Sequence, residues 1–220
     1  MNKRMDTRTV VVLGMLSALA YLAVVIFRLP LIPAVPFLHY EPKDVVLTVG
    51  ALLYGPLPGA CMAVVVSLIE MITVSTTGPI GFLMNVISSC AFLLPPAVIY
   101  RRRSTLPAAL VGLGLGVVSM ACVMLLWNWL ISPLYMGISR EAVAAMLLPA
   151  FLPFNLLKGG LNAAITMLLY KPVVAGLSRT RLLRETHPSL SGKRTLGVVL
   201  LSAVLLVTLC LTILAINGKI

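Results

Sequence analysis

The chain has 220 residues, of which 60% are apolar and only 10% are charged, and its formal net charge is +11. A soluble domain of this length cannot hide so many long apolar runs, so the composition excludes a soluble protein and predicts an integral membrane protein. The runs lack the alternating pattern of a transmembrane barrel, which leaves an all-α fold of membrane-spanning helices.

The apolar runs predict seven membrane-spanning helices. We place them at residues 9–29, 43–54, 57–75, 80–100, 107–131, 148–170 and 196–216. No small-residue cleavage site follows the first run, so we interpret it as a span and not as a signal peptide. We expect residues 1–171 to form a six-helix membrane domain. Residues 172–195 then form a basic cytoplasmic linker to an additional helix within residues 196–220.

The sequence YGPLPGA, residues 54–60, decides the number of spans. Pro56 and Pro58 interrupt an apolar stretch that would otherwise predict one helix over residues 45–69. With the break, the basic N-terminus, the RRR cluster at 101–103 and the linker all lie on one side, which the positive-inside rule makes cytoplasmic. The positive charge therefore reflects membrane topology and anionic lipid headgroups, and we expect no nucleic-acid partner.

Two segments on the predicted outer side have unusual sequences. RLPLIPAVPFLHYEPKD, residues 28–44, contains four prolines and is too apolar for an ordinary solvated loop. It is either a lid over a site or a linker that rests on the membrane interface. STTGPIG, residues 75–81, predicts a tight turn in which Gly78, Pro79 and Gly81 let the backbone approach a ligand, although such a turn is also common without one.

A lysine lies inside the apolar run FNLLKGGLNAAITMLLYK, residues 154–171. A charge at the bilayer centre costs roughly 2.5–3.5 kcal/mol, so Lys158 should face the protein interior or a wet cavity. Asn155 and Asn162 lie on the same helical face as Lys158. The alternative is a structural role, in which Lys158 pairs with Glu70, the other strongly charged residue deep in a span, or caps backbone carbonyl groups freed near the adjacent glycine pair.

Asn85 and Asn128 are expected at a similar depth, in the fourth and fifth spans. Each of them alone is typical of hydrogen bonding between membrane helices. Aromatic residues surround this level, among them Tyr40, and an interfacial belt accounts for most of them. Together, several amides, one cation and aromatic walls favour a pocket for a flat heteroaromatic molecule with a polar edge.

The sequence has no motif that predicts an enzyme. It contains no GxxxxGK[ST] phosphate-binding loop and no Ser/His/Asp or Cys/His set. Its four cysteines lie singly within apolar segments, so we expect neither a disulfide framework nor a metal site.

The runs STTGPIGFLMN, WNWLISPLY and LPFNLLKGGLNAAITMLLYK, with the loop LPLIPAVPFLHYEPKD, resemble a known family over roughly residues 9–171. This is the riboflavin-type substrate-binding S component of energy-coupling-factor (ECF) vitamin transporters. The resemblance implies a six-helix bundle that binds a flavin from outside as its transported ligand, with no cofactor of its own. It implies that Asn128, Asn155 and Lys158 hydrogen-bond the flavin, with the turn from Gly78 to Gly81 closing against the ring. The predicted seventh span departs from this pattern.

The resemblance also implies partners, namely a transmembrane T component and two ATP-binding subunits. Gly14 and Ala18 form a small-xxx-small face on the first span, which either packs inside the protein or, by the resemblance, contacts the T component. Two other functions remain open. A self-sufficient secondary transporter would use Glu70 and Lys158 for protons or an anion, and a structural assembly factor would bind no small molecule.

Overall fold

The structure is a computed structural model, and it describes residues 6–32, 38–75, 77–179, 192–216 and 218. Within these ranges the protein is a bundle of α-helices with one hairpin of two short antiparallel strands. The elements are α1 (Thr7–Ile26), β1 (Leu29–Pro30), β2 (His39–Tyr40), α2 (Lys43–Tyr54), α3 (Pro56–Thr73), α4 (Gly78–Arg102), α5 (Leu106–Met136), α6 (Arg140–Met146), α7 (Leu152–Arg179) and α8 (Gly192–Ile216). The predicted all-α membrane fold is confirmed.

Gly55 and Pro56 separate α2 from α3, as the sequence predicts. Gly55 has a φ of 102°, which a residue with a side chain rarely adopts. Pro56 occupies the first turn of α3, where its missing N–H group costs nothing. The apolar stretch therefore forms two helices that turn back on each other.

Six helical segments among the described residues are long and apolar enough to cross a membrane. They are α1, α3, α4, α5, the unit from Arg140 to Tyr170, and Val199–Ile216 within α8. The 12-residue α2 is shorter than this, about 18 Å at 1.5 Å per residue, yet nearly all of it is buried. Gly55, which directly follows α2, lies beside the side chain of Arg101, so α2 still carries the chain from one end of the bundle to the other.

Glycines on α5 allow close packing against α4. A Cβ atom at Gly112 would collide with the backbone of Pro96, and one at Gly116 would collide with the carbonyl oxygen of Phe92. The two helices thus approach backbone to backbone, as small residues permit in membrane bundles. This contact fixes the wall of the bundle that continues toward Asn85 and Asn128.

The structure adds elements that the sequence patterns did not predict. The segment after the first span pairs Leu29 with Tyr40 and Pro30 with His39 as an antiparallel hairpin. The short helix α6 and a π-helical turn at Leu147–Phe151 precede α7.

Two helices extend beyond their predicted C-terminal ends by more than one turn. α5 continues to Met136, and α7 continues to Arg179, so the first residues of the predicted linker are helical. Residues 180–191 of that linker lie outside the described residues, as do residues 1–5, 33–37 and most of the C-terminal NGKI.

Candidate ligand-binding cavity

A cavity of about 410 Å³ opens at one end of the bundle. Its walls come from the hairpin region, the turn between α3 and α4, the C-terminal part of α5 and the first turns of α7. The basic cluster that begins with Arg101 and Arg102 ends α4, whose first turns line the cavity, so the two lie at opposite ends. The volume is in the range of small-molecule sites, about 300–1,000 Å³.

Five of the predicted site residues line this cavity: Gly81, Asn85, Asn128, Asn155 and Lys158. They come from three helices that are far apart in sequence. These residues, which the span boundaries place at a similar depth, thus line one cavity. Arranged in this way, amides and one cation offer both donors and acceptors to a ligand edge.

The asparagines are held in place by hydrogen bonds within the protein. Asn155 donates its Nδ2 to the carbonyl oxygen of Phe151 over 2.8 Å, and the Oδ1 of Asn128 accepts from Ser132 Oγ over 2.9 Å. Asn85 Nδ2 donates to Glu70 Oε1 over 2.9 Å. These bonds orient each amide and leave the Oδ1 of Asn155 and the Nδ2 of Asn128 for other partners.

Three other predicted site residues, Tyr40, Gly78 and Pro79, do not line the cavity, so the structure does not bring them together with the other five. Tyr40 is 5% exposed and belongs to an apolar cluster with Phe151 and Phe154. Burial and the nearby Asp44 carboxylate raise the pKa of Tyr40 above its ordinary value. Gly78 and Pro79 begin α4, where Pro79 faces outward, and the next two residues, Ile80 and Gly81, line the cavity.

Charged side chains at the cavity are more numerous than the sequence analysis expected. Arg28, Glu41 and Glu70 all line it. The Nε of Arg28 lies 3.0 Å from Glu41 Oε1, and the fully buried Lys43 lies 3.4 Å from Glu41 Oε2 and also donates to Glu70 Oε2. The signal for this network was the segment HYEPKD together with Glu70, but no pattern indicated which groups pair.

Lys158 pairs with a different carboxylate from the one considered in the sequence analysis. Its Nζ lies 3.6 Å from Oδ2 of Asp44, whereas the hydrogen-bonded partners of Glu70 are Lys43 and Asn85. The alternative pairing of Lys158 with Glu70 is therefore wrong. Asp44 lies in the first turn of α2 and is fully buried.

Gly14 and Ala18 lie on an exposed face of α1. A Cβ atom added at Gly14 would meet nothing within 4 Å. The buried face of α1 instead carries Val12, Leu16 and Ala20. Packing of the small-residue face inside this protein, the alternative left open by the sequence, is therefore not observed in the described residues.

With this geometry in view, comparison with known proteins identifies the family. Residues 8–170 match the family described as "ECF transporter, substrate-specific component". The chain belongs to this family. The match ends before α8, so the C-terminal helix lies outside the family segment.

Named relatives and a solved structure agree with this assignment. The "Riboflavin transporter FmnP" of Bacillus subtilis is 27% identical over 176 residues, which cover 76% of this chain and 92% of that protein. The "Riboflavin transporter RibU" of Staphylococcus aureus is 28% identical over 185 residues, 81% and 94% of the two chains. A structure titled "Structure and mechanism of the S component of a bacterial ECF transporter" superposes with a TM-score of 0.67 at 25% identity, covering 79% of this chain and 99% of that one.

Proposed function

We propose that this ECF S component binds riboflavin from outside the cell and delivers it for ATP-driven uptake. The observation that carries the proposal is the cavity wall of Asn128, Asn155 and Lys158, in a chain whose relatives are named riboflavin transporters. Amide groups and a cation match the carbonyl and imide edge of a flavin ring, and Phe154 and Tyr135 supply aromatic surface.

The charge balance of the cavity favours an uncharged flavin over a phosphorylated one. Both Lys/Arg side chains that line it, Arg28 and Lys158, already face a carboxylate, and Glu41 and Glu70 line the same space. A flavin phosphate carries about −1.5 to −2 charge and would meet these carboxylates with no unpaired cation from the described lining residues. We expect FMN to bind at least about tenfold more weakly than riboflavin, a difference of about 1.4 kcal/mol.

Flavin binding is tested directly on the purified full-length protein. We expect the protein to quench riboflavin fluorescence on titration, and FMN to compete only at higher concentration. A protein isolated from riboflavin-containing medium should be yellow. Denaturation should release the bound flavin, which its absorption spectrum then identifies. Failure of the folded protein to bind riboflavin would reject the proposed function, and tighter binding of FMN would reject the charge argument.

The proposed partners are a T component and two ATP-binding subunits, with the N-terminus of this chain in the cytoplasm. The position of Arg101 and Arg102 at the end opposite the cavity supports this orientation, because the cavity then faces outward. Uptake in a riboflavin-requiring host should depend on co-expression of the partner subunits and survive a protonophore when ATP is maintained. Uptake by this chain alone, abolished by the protonophore, would instead indicate a secondary transporter.

A further inference from the structure

Asp44 is a fully buried carboxylate that does not line the cavity. It accepts a hydrogen bond from Ser89 Oγ over 2.5 Å and one from Asn162 Nδ2 over 3.4 Å, and it lies 3.6 Å from Lys158 Nζ. Its neighbours thus come from α4 and α7, which both pack against α2. Because several donors contact both of its oxygens, this carboxylate is held in one position.

Lys158 lies between this carboxylate and the cavity. Its side chain is 9% exposed, and it lines the cavity, which the Asp44 carboxylate does not. An ammonium group has three donors, and a counterion on one side leaves the others for a ligand on the other side. Lysine also has a long, flexible stem, so a fixed anion restricts the directions in which the cation points.

We infer that Asp44 is a positioning residue for flavin binding: it holds the ammonium group of Lys158 aimed at the ligand without touching the ligand itself. The inference rests on the proposed flavin-binding function. Ser89 and Asn162 support it by fixing the two carboxylate oxygens. In this arrangement, α2 contributes to ligand affinity although its carboxylate lies outside the cavity.

A purely structural role for Asp44 is the competing account. An acidic residue in the first turn of a helix is favourable there, and a buried ion pair affects folding whether or not a ligand is present. The two accounts differ in one respect. A structural residue changes affinity by the same factor with or without Lys158, whereas a positioning residue acts only through Lys158.

The test is a double-mutant cycle on full-length protein, with riboflavin affinity measured by fluorescence titration. The four proteins are the unchanged chain, Asp44→Asn, Lys158→Met and the double variant. We expect Asp44→Asn to weaken binding about tenfold in the unchanged chain, and to change it less than about twofold when Lys158 is already methionine. Thr166→Val, at another fully buried polar position on α7, is the matched control and should leave affinity unchanged.

A second variant keeps the test decisive if Asp44→Asn does not fold. Ser89→Ala removes the hydrogen bond to Asp44 Oδ1 but retains both charges, and it should weaken binding only where Lys158 is present. Equal losses in both backgrounds, or no loss at all, would overturn the positioning role. If Lys158→Met itself leaves affinity unchanged, the role of Lys158 fails, and if the unchanged folded chain does not bind riboflavin, the proposed function fails instead.

Discussion

Lys158 has the buried carboxylate of Asp44 on one side and the cavity on the other. The cost of placing a cation in the membrane is offset by Asp44 before any ligand arrives. A flavin carbonyl would add a charge-assisted hydrogen bond, which is stronger than a neutral one. The lysine is thus part of a stable fold and is also available for recognition.

Substitution of Lys158 by methionine should separate these two contributions. Loss of a charge-assisted hydrogen bond of about 1.5–3 kcal/mol should weaken riboflavin binding by roughly 10- to 150-fold. The melting temperature should also fall, because Asp44 loses its counterion, and addition of Asp44→Asn should recover part of that loss. Fluorescence titration and thermal unfolding of the same samples check both effects. Unchanged affinity in a stable variant would contradict the ligand contact.

Arg28 connects two parts of the cavity rim. Its Nε pairs with Glu41 beside the hairpin, and its Nη1 donates to the carbonyl oxygen of Val74 at the end of α3 over 3.5 Å. Its side chain is 34% exposed, so the ion pair is worth at most about 1 kcal/mol. We expect Arg28→Ala to speed riboflavin dissociation up to about fivefold in stopped-flow measurements.

Arg140→Ala is the matched control for Arg28→Ala. Arg140 lies over the ring of Trp129 at 5.3 Å and does not line the cavity. The dissociation rate of this variant should therefore equal that of the unchanged chain. Equal acceleration in both variants would show that loss of any outer arginine perturbs the protein, and would remove the specific role of Arg28.

At the scale of helices, hydropathy and proline placement predict most of the fold. The break at Gly55 and Pro56 follows from local chemistry, because glycine permits the positive φ and proline begins a helix well. The hairpin and α6 lack such signals. Two-residue strands have no periodicity to detect, and the seven residues of α6 are fewer than the windows in which helical patterns emerge.

The sequence predicted the depth of the cavity residues in the membrane but not their contacts with one another. Sequence spacing placed Asn128, Asn155 and Lys158 at similar depth, and depth follows from counting residues along helices. The partner of Lys158 depends on which helices are neighbours and how they are rotated, which is set by packing across the whole bundle. The sequence therefore indicated a buried cation correctly but suggested Glu70, rather than Asp44, as its partner.

The C-terminal helix α8 packs along α7, outside the family segment. Its Leu209 lies against Gly160, and it adds apolar side chains to the cluster that contains Phe154. The lining residues of the cavity nevertheless all precede α8. We interpret α8 as an addition that supports α7 without forming the site.

Truncation after Ser191 should therefore preserve ligand binding. We expect riboflavin affinity within about threefold of the full chain, less than 1 kcal/mol, and a lower melting temperature because α7 loses an apolar neighbour. Affinity and melting temperature of the truncated protein in the same detergent check this. A folded truncation that binds more than about tenfold more weakly would show that α8 shapes the cavity.

For the whole molecule, uptake requires a surface for the partner subunits as well as a cavity. The exposed small-residue face of α1 at Gly14 and Ala18 is our proposal for that surface, since small side chains let another helix approach closely. Gly114 on α5 provides a matched position, because it too is exposed and a Cβ there would meet nothing within 4 Å.

The combined substitutions Gly14→Leu and Ala18→Leu should abolish uptake and leave riboflavin affinity within about twofold. The leucines would hold a partner helix away, yet Gly14 and Ala18 do not line the cavity. Uptake in cells that express all subunits and affinity of the purified protein are the two measurements, and Gly114→Leu should change neither. Normal uptake by the double variant would place the partner elsewhere, and loss of affinity would mean that α1 supports the cavity instead.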